Sequence, residues 1–438
     1  MSNTQQQYKI TQAYITSNRT GDEKFDIKAT IVEFVLFENI EKPYITGQIA
    51  MSDDIGLYDR LSMSGTERLY IKMASEDESL APVMDRTFLI SGIDTIVKSS
   101  ESGTSSIYVF TLMDEHVMIS SSKKISRTVQ GNLETEITNI LGSDLKKDVD
   151  LSYSSRSMQS NFKGIIPYMN PLDACEWLRN RATTNIGMPY FLYASIHDTN
   201  LRLGNLEVML KQNSWNSKLP YLFAPSNVQS AEEQGALEKN FIVQSMKSTK
   251  LQNTILQLKS GGIGSLYNNT NINNGRISTT HFSILSLLEE MDKKGLIDMK
   301  DQNVYDEMYQ NDEGQYLHEL NSRVFHTITS SGTYGTYKSF HDELDPAKFR
   351  KKLENMSVRN MLYKNMFDVT VPGAGFIVSK ASVGDIVRIN VLSDDNDPNS
   401  EQKFDELRSG EFLIYNARHT FKDTRHDVAM TVCKLERG

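Results

Sequence analysis

The eight histidines, His116, His197, His281, His318, His326, His341, His419 and His426, are the residues best suited to hold a metal or move a proton near neutral pH. None stands in an HExxH or comparable ligand spacing. His318-Glu319 followed by His326 has the wrong interval for two ligands on one helical face, so solvated or hydrogen-bonded histidines are expected there. His419 and His426 could approach across a hairpin, but no thiolate or convincing carboxylate accompanies them to complete a zinc site. Gly261-Gly-Ile-Gly264 lacks both the Lys-Ser/Thr of a phosphate loop and the GxGxxG spacing, which leaves a flexible junction. The acidic run Asp394-Asp-Asn-Asp397, with Glu401, Asp405 and Glu406 beyond it, lacks the central glycine and closing glutamate of an EF-hand and reads as a solvated loop. No GxSxG elbow is present, and no pair of carboxylates singles itself out for glycoside hydrolysis. Cys175 and Cys433 read as small core residues, and Trp177 and Trp215 as partly buried core residues or interface anchors. The expectation is a protein that is not an enzyme, with no catalytic, cofactor-binding or metal-ligating residues and no cofactor.

Composition narrows the class. The 438 residues favour two to four folded units, and 39% apolar with 24% charged residues is an ordinary globular balance that excludes wholesale disorder. A formal charge of −9 cannot build the broad basic face that nucleic-acid affinity needs. Two cysteines give no disulfide framework, which fits folding in a reducing compartment. The polar N-terminus has no signal-peptide pattern, and the densest apolar stretch, Ile31 to Phe37, is too short for a bilayer, so no membrane insertion is expected.

The elements follow from periodicity. Ile27–Phe37, Tyr44–Ala50, Glu67–Met73, Thr87–Val97 and Ser106–Leu112 alternate as strands between turn residues and predict an antiparallel β-barrel or sandwich, read as a β-barrel over residues 1–122. Residues 123–236 mix helix and hairpin. Asn132 caps a helix carrying Leu133, Ile137, Ile140 and Leu141, with Gly142 as its stop, and Asn170-Pro-Leu-Asp173 opens a second helix running toward Gly187. Tyr190–Tyr193 and Leu201–Leu203 then flank the polar turn His197–Asn200. A second, split barrel takes residues 237–260 and 359–438, with strands at Phe241–Gln244, Thr254–Leu258, Phe367–Val371, Asp385–Val391, Glu411–Tyr415 and Asp427–Val432. Between its halves lies a smaller inserted peripheral domain, residues 261–358, with an asparagine-rich run (268–274), a helix from Phe282 to Lys294 stopped by Gly295, and a polar stretch through Tyr334–Tyr337. The fold class is α+β and β-dominated.

The two β-blocks echo each other. Gly65–Lys72, Thr87-Phe-Leu-Ile-Ser-Gly-Ile93 and Ile107–Leu112 return in the same order as Gly384–Asn390, Glu411-Phe-Leu-Ile-Tyr-Asn-Ala417 and Val428–Val432. A duplicated barrel lets an n-fold ring of subunits present a pseudo-2n-fold surface to a neighbour of different symmetry.

That order of domains, together with Asn170–Leu178, the hairpin Gly187–Leu203 and the stretch Glu411–Leu435, resembles the central baseplate hub protein of contractile, T-even-type phage tails, and the hub portion of type VI secretion spike proteins. The resemblance covers nearly the whole chain except Gly261 to Val358. It implies a homotrimer whose six tube-like barrels form a torus between the six-fold rings of tail tube or tube-terminator protein and a three-fold spike protein. Baseplate wedge proteins would surround it, and an open bore would pass the genome during ejection without binding DNA specifically. Its place would be the virion tail baseplate, assembled in the host cytoplasm. Secretion spikes continue into a β-helical needle, whereas this chain stops at Gly438, so the needle is expected as a separate polypeptide, which favours the phage arrangement. The alternatives are a tail-associated cell-wall hydrolase, for which residues 261–358 are the only free space, and a hub of a type VI secretion or other contractile injection system.

Overall fold

A computed structural model describes residues 8–21, 23–53, 56, 60–61, 63–74, 84–98, 106–154, 161–184, 186–224, 240–248, 254–272, 275–297, 309–329, 346–364, 366–393, 404–405 and 408–434. The chain is β-dominated with large antiparallel sheets. The first β-unit comprises β1 (Lys9–Thr16), β2 (Phe25–Asp26), β3 (Ile31–Asn39), β4 (Thr46–Asp53), β5 (Arg68–Ala74), β6 (Met84–Lys98) and β7 (Ser106–Met113). Its strands read as they fold: in β5, Leu69, Ile71 and Met73 are buried while the residues between them are half-exposed, the period of two that a one-sided sheet requires.

The middle segment contains α1 (Glu115–Ser121), β8 (Thr128–Asn132), α2 (Leu133–Leu145), β9 (Val149–Asp150), β10 (Asn161–Ile165), α3 (Pro171–Arg179), β11 (Tyr190–Ala194), β12 (Leu201–Asn205) and α4 (Leu206–Leu210). The Asn132 side chain caps α2 as expected, accepting from the Glu134 amide at 2.9 Å. Its stop differs: Gly142 lies inside the helix, which buries Leu145 as well and ends at Lys146 in the left-handed conformation. Helix α3 is also shorter than its pattern, closing at Arg179 rather than near Gly187. Hairpin β11–β12 forms with Tyr190 opposite Asn205. Strand β11 is buried on both faces because it divides two cores, sending Tyr190, Leu192 and Ala194 into the first and Phe191 and Tyr193 into the second.

The second β-unit contains β13 (Tyr221–Phe223) and β14 (Ser245–Ser248), then, after an excursion, β18 (Met366–Pro372), α8 (Ala374–Ser379), β19 (Ile386–Val391), β20 (Gly410–Lys422) and β21 (Arg425–Cys433). The excursion holds α5 (Thr254–Ser260), β15 (Gly264–Asn271), β16 (Arg276–Ser283), α6 (Ile284–Lys293), β17 (Val324–Thr329) and α7 (Pro346–Lys364). Two expected strands are absent: Thr254–Leu258 is helical, and Phe241–Gln244 makes only an isolated bridge from Ile242 to Leu222. Phe282, Leu287, Leu288 and Met291 of the excursion join the same core as Val369 and Phe412. The flexible junction expected at Gly261–Gly264 is instead tightly packed, since a Cβ on Gly264 would strike the carbonyls of His318 and Leu320. The acidic run 394–397, residues 273–274, Tyr334–Tyr337 and His341 lie outside the described residues.

The sequence echo is matched in topology. Strand order β5-β6-β7-β4-β3 in the first unit is repeated as β19-β20-β21-β18-β14 in the second. Leu89 pairs with Arg68 and Met113, and Leu413 pairs with Ile386 and Cys433, so the two Phe-Leu-Ile tripeptides occupy one position of the repeat. A bulge follows each tripeptide, between Ile90 and Gly92 and between Ile414 and Asn416. The Glu67 carbonyl accepts from the Ile90 amide at 2.8 Å, and the Asp385 carbonyl from the Ile414 amide at 3.0 Å. Each acid also accepts the amide of a serine three residues before it, Ser64 and Ser382, at 2.9 Å. The match breaks in two places: β1 lies antiparallel to β5 whereas β13 lies parallel to β19, and β6 has a second bulge, between Ile93 and Thr95, that β20 lacks.

Candidate functional site at the junction of the two β-units

Strand β20 is long enough to serve both units. Its first residues, Gly410–Leu413, pair with β19; beyond the bulge, Asn416–Lys422 pair antiparallel with β3, so thirteen strands among the described residues form one sheet. Beneath this seam lies a row of polar side chains from distant parts of the chain.

Glu38, on the inward face of β3, is fully buried and accepts from the Ile196 amide and the Ser382 hydroxyl, each at 2.7 Å, and from His419 Nε2 at 3.1 Å. His419 Nδ1 lies 3.1 Å from His426 Nε2 across the β20–β21 hairpin. Burial pushes the Glu38 carboxyl up, but the bond from His419, that residue's charge and the Ser382 hydroxyl outweigh it and hold Glu38 below the usual carboxylate range. Burial, with His419 and His197 adding to it, holds His426 well below the ordinary histidine value. The two histidines that could approach across a hairpin do meet, but among the described residues no group of three or more His, Cys, Asp or Glu is placed to hold a metal. The geometry is not that of a Ser–His–Asp triad, because Ser382 donates to Glu38 rather than to an imidazole and both rings are fully buried.

A second cluster centres on Glu41, in the turn after β3. Its carboxylate meets Arg179 of α3 at 2.6 Å, Arg359 of α7, and the Tyr415 hydroxyl at 3.2 Å. Arg359 also donates to the Tyr190 carbonyl at 3.1 Å and lies over the Phe191 ring. One carboxylate thus ties the first β-unit to α3, to the excursion and to β20. A third cluster joins β6 to the hairpin turn: Arg86 pairs with Asp114 at 2.8 Å and donates to the Ser195 and Asp198 carbonyls. Beside it is a cavity of about 370 Å³ lined by Arg86, Asp114, His116, Lys146, Lys147 and Thr199 among others. Finally, Asp385 receives the Ser382 amide and lies 3.5 Å from the Tyr153 hydroxyl. Burial raises its carboxyl to about 6 despite the nearby Arg202.

The remaining candidates are dispersed. His318 is buried against Tyr316, and His326 is exposed on β17. Trp215 packs among Tyr221, Phe241 and Phe376, and Arg181 covers Trp177 at 3.9 Å. Cys175 and Cys433 are buried, and burial pushes both thiols up. Glu38 and Glu41 escaped the sequence reading, although the alternation Phe34, Leu36, Glu38 already turned Glu38 inward.

No family model and no curated protein matches the sequence. Among solved structures, the tail protein from Neisseria meningitidis MC58 superposes with a TM-score of 0.54 at 11% identity, covering 98% of this chain and 97% of that one. The chain has the fold of that tail protein. The 43 kDa tail protein of prophage MuSo2 from Shewanella oneidensis follows at 0.48 and 11% identity, over 97% and 98% of the two chains. The E. coli c3393 protein, a type VI secretion component described as structurally similar to the T4 tail proteins gp27 and gp5, gives 0.42 and 9% over 98% and 76%. In the tail-protein fold as this chain carries it, the bonded groups at the seam are consumed in joining the two β-units. Among the described residues, no helix is long and apolar enough to cross a membrane.

Proposed function

We propose that this chain is a structural subunit of the central baseplate hub of a contractile phage tail, not an enzyme. Three copies form a pseudo-six-fold ring that joins the six-fold tail tube or tube-terminator rings to a three-fold spike protein, with wedge proteins around it. The bore passes DNA without binding it specifically. The domain division 1–122, 123–236, 237–260 with 359–438, and 261–358 belongs to the same reading, as do a place in the virion tail baseplate and assembly in the host cytoplasm. The observation that carries it is the repeated strand order, which gives each chain two matched units and hence six in a trimer. The overall likeness to a tail protein supports it.

The test is native mass measurement together with electron microscopy, on the protein alone and with a spike partner. Three times the 49.7 kDa chain mass and a ring with a central opening are expected. A monomer under all these conditions, or a compact particle without an opening, overturns the reading. Clearing of peptidoglycan in a zymogram overturns its non-enzymatic part.

A further inference from the structure

Among the described residues, the internal repeat leaves two strand edges without a partner strand, and they match. Strand β7 lines one side of β6 from Leu89 to Lys98; on the other side β5 covers only Met84–Leu89, and among the described residues no strand follows it. In the second unit the equivalent side of β20 is covered first by β19 and then, past the bulge, by β3. Strand β14 is the counterpart of β3. It pairs with β18 on one side and with no strand among the described residues on the other, and its Ser245, Lys247 and Ser248 are exposed. Among the described residues the unit-to-unit seam is therefore present once, and its two halves stand without a partner strand at opposite ends of the repeat.

Uncovered backbone N–H and C=O groups template pairing with another strand. We infer that the open half of β6 pairs antiparallel with β14 of a second copy of this chain, repeating between copies the β20–β3 seam within each.

The internal seam fixes the register. Counting through the paired strands, with one more bulge residue in β6 between Ile93 and Thr95, places Ile96, Val97 and Lys98 where His419, Thr420 and Phe421 stand. The pairings of β4 with β3 and of β18 with β14 place Ser248, Lys247 and Met246 where Leu36, Val35 and Phe34 stand. Within the chain His419 opposes Leu36, Thr420 opposes Val35 and Phe421 opposes Phe34. Between copies, then, Ile96 opposes Ser248, Val97 opposes Lys247 and Lys98 opposes Met246. The contact is heterologous, β6 on one copy and β14 on the next, so it must close into a ring or run on as a filament. Closure at three copies rests on the ring reading above; the pairing itself rests on the repeat.

Opposed residues of an antiparallel pair have Cα atoms about 4.5–5.5 Å apart, within disulfide range. The experiment is oxidation of the full-length V97C/K247C double variant, read on a non-reducing denaturing gel beside the native mass. Cys175 and Cys433 are buried and do not compete. Most of the protein is expected in covalent bands ending at three chains, and a mixture of the single variants V97C and K247C is expected to stop at covalent dimers, which keeps the test available should the double variant fold poorly. A trimer in which neither this pair nor I96C/S248C cross-links overturns the pairing and leaves the ring. Covalent ladders beyond three chains support the pairing and overturn closure at three. A chain that stays monomeric overturns both.

Discussion

Gly373 has an ordinary backbone conformation, with φ of −81°, yet a Cβ there would run into the His426 ring. Gly373→Ala is expected to cost about 1–3 kcal/mol through overpacking, read from urea unfolding. In the cycle with His426→Ala the double variant should lose less than the sum of the singles, because removing the ring removes the clash. The buried titratable groups pull stability in opposite directions with pH. Asp385 holds its proton up to about 6 in the folded chain against 3.8 ordinarily, so the fold takes up this proton first and Asp385 adds stability as pH falls from 6 toward 4. His426 is held neutral below its ordinary 6.5, so the unfolded chain takes up that proton first and stability is lost as pH falls below 6.5. Glu38, held below 4.5, gives up its contribution only at pH lower still. Asp385→Asn should therefore steepen the loss of stability between about pH 6 and 4, measured as unfolding free energy across that range; an unchanged slope would count against the burial of Asp385 described here.

At the scale of elements, Glu41 and Arg359 decide how the excursion sits on the two β-units, because Arg359 projects from α7 onto a turn of the first unit and the Tyr190 carbonyl of the hairpin. A double-mutant cycle with Glu41→Ala and Arg359→Ala is expected to give a coupling of about 1–3 kcal/mol. Arg179→Ala is expected to couple to Glu41 as well, since it shares the carboxylate. The elements themselves were largely legible. Alternation located β3 to β7 and β18 to β21, though not β1, β2, β13 or β14, and Asn132 and Pro171 located two helix starts. The misses have physical reasons. Thr254–Leu258 is five residues long, too few for periodicity to separate strand from helix, and Ile255 and Leu256 prove exposed on α5. Gly142 suggested a stop, but the burial of Leu145 one turn later outweighs the modest cost of a glycine inside α2.

At the scale of the whole molecule, the formal charge of −9 works against retention of phosphate in a channel. The purified protein is accordingly expected not to co-elute with duplex DNA at about 0.15 M salt, checked by size-exclusion chromatography; stable co-elution would count against the proposed non-binding bore. Composition and periodicity alone determined the β-dominated class, the order of elements and the duplicated grammar around the two Phe-Leu-Ile tripeptides, because these depend on neighbours a few residues apart. Only tertiary structure decided that the two units share one sheet through β20 and β3, and that Glu38 meets His419 across 381 residues. Such pairings are set by which edges and buried charges the folded chain brings face to face, and local sequence carries no record of a partner so far away.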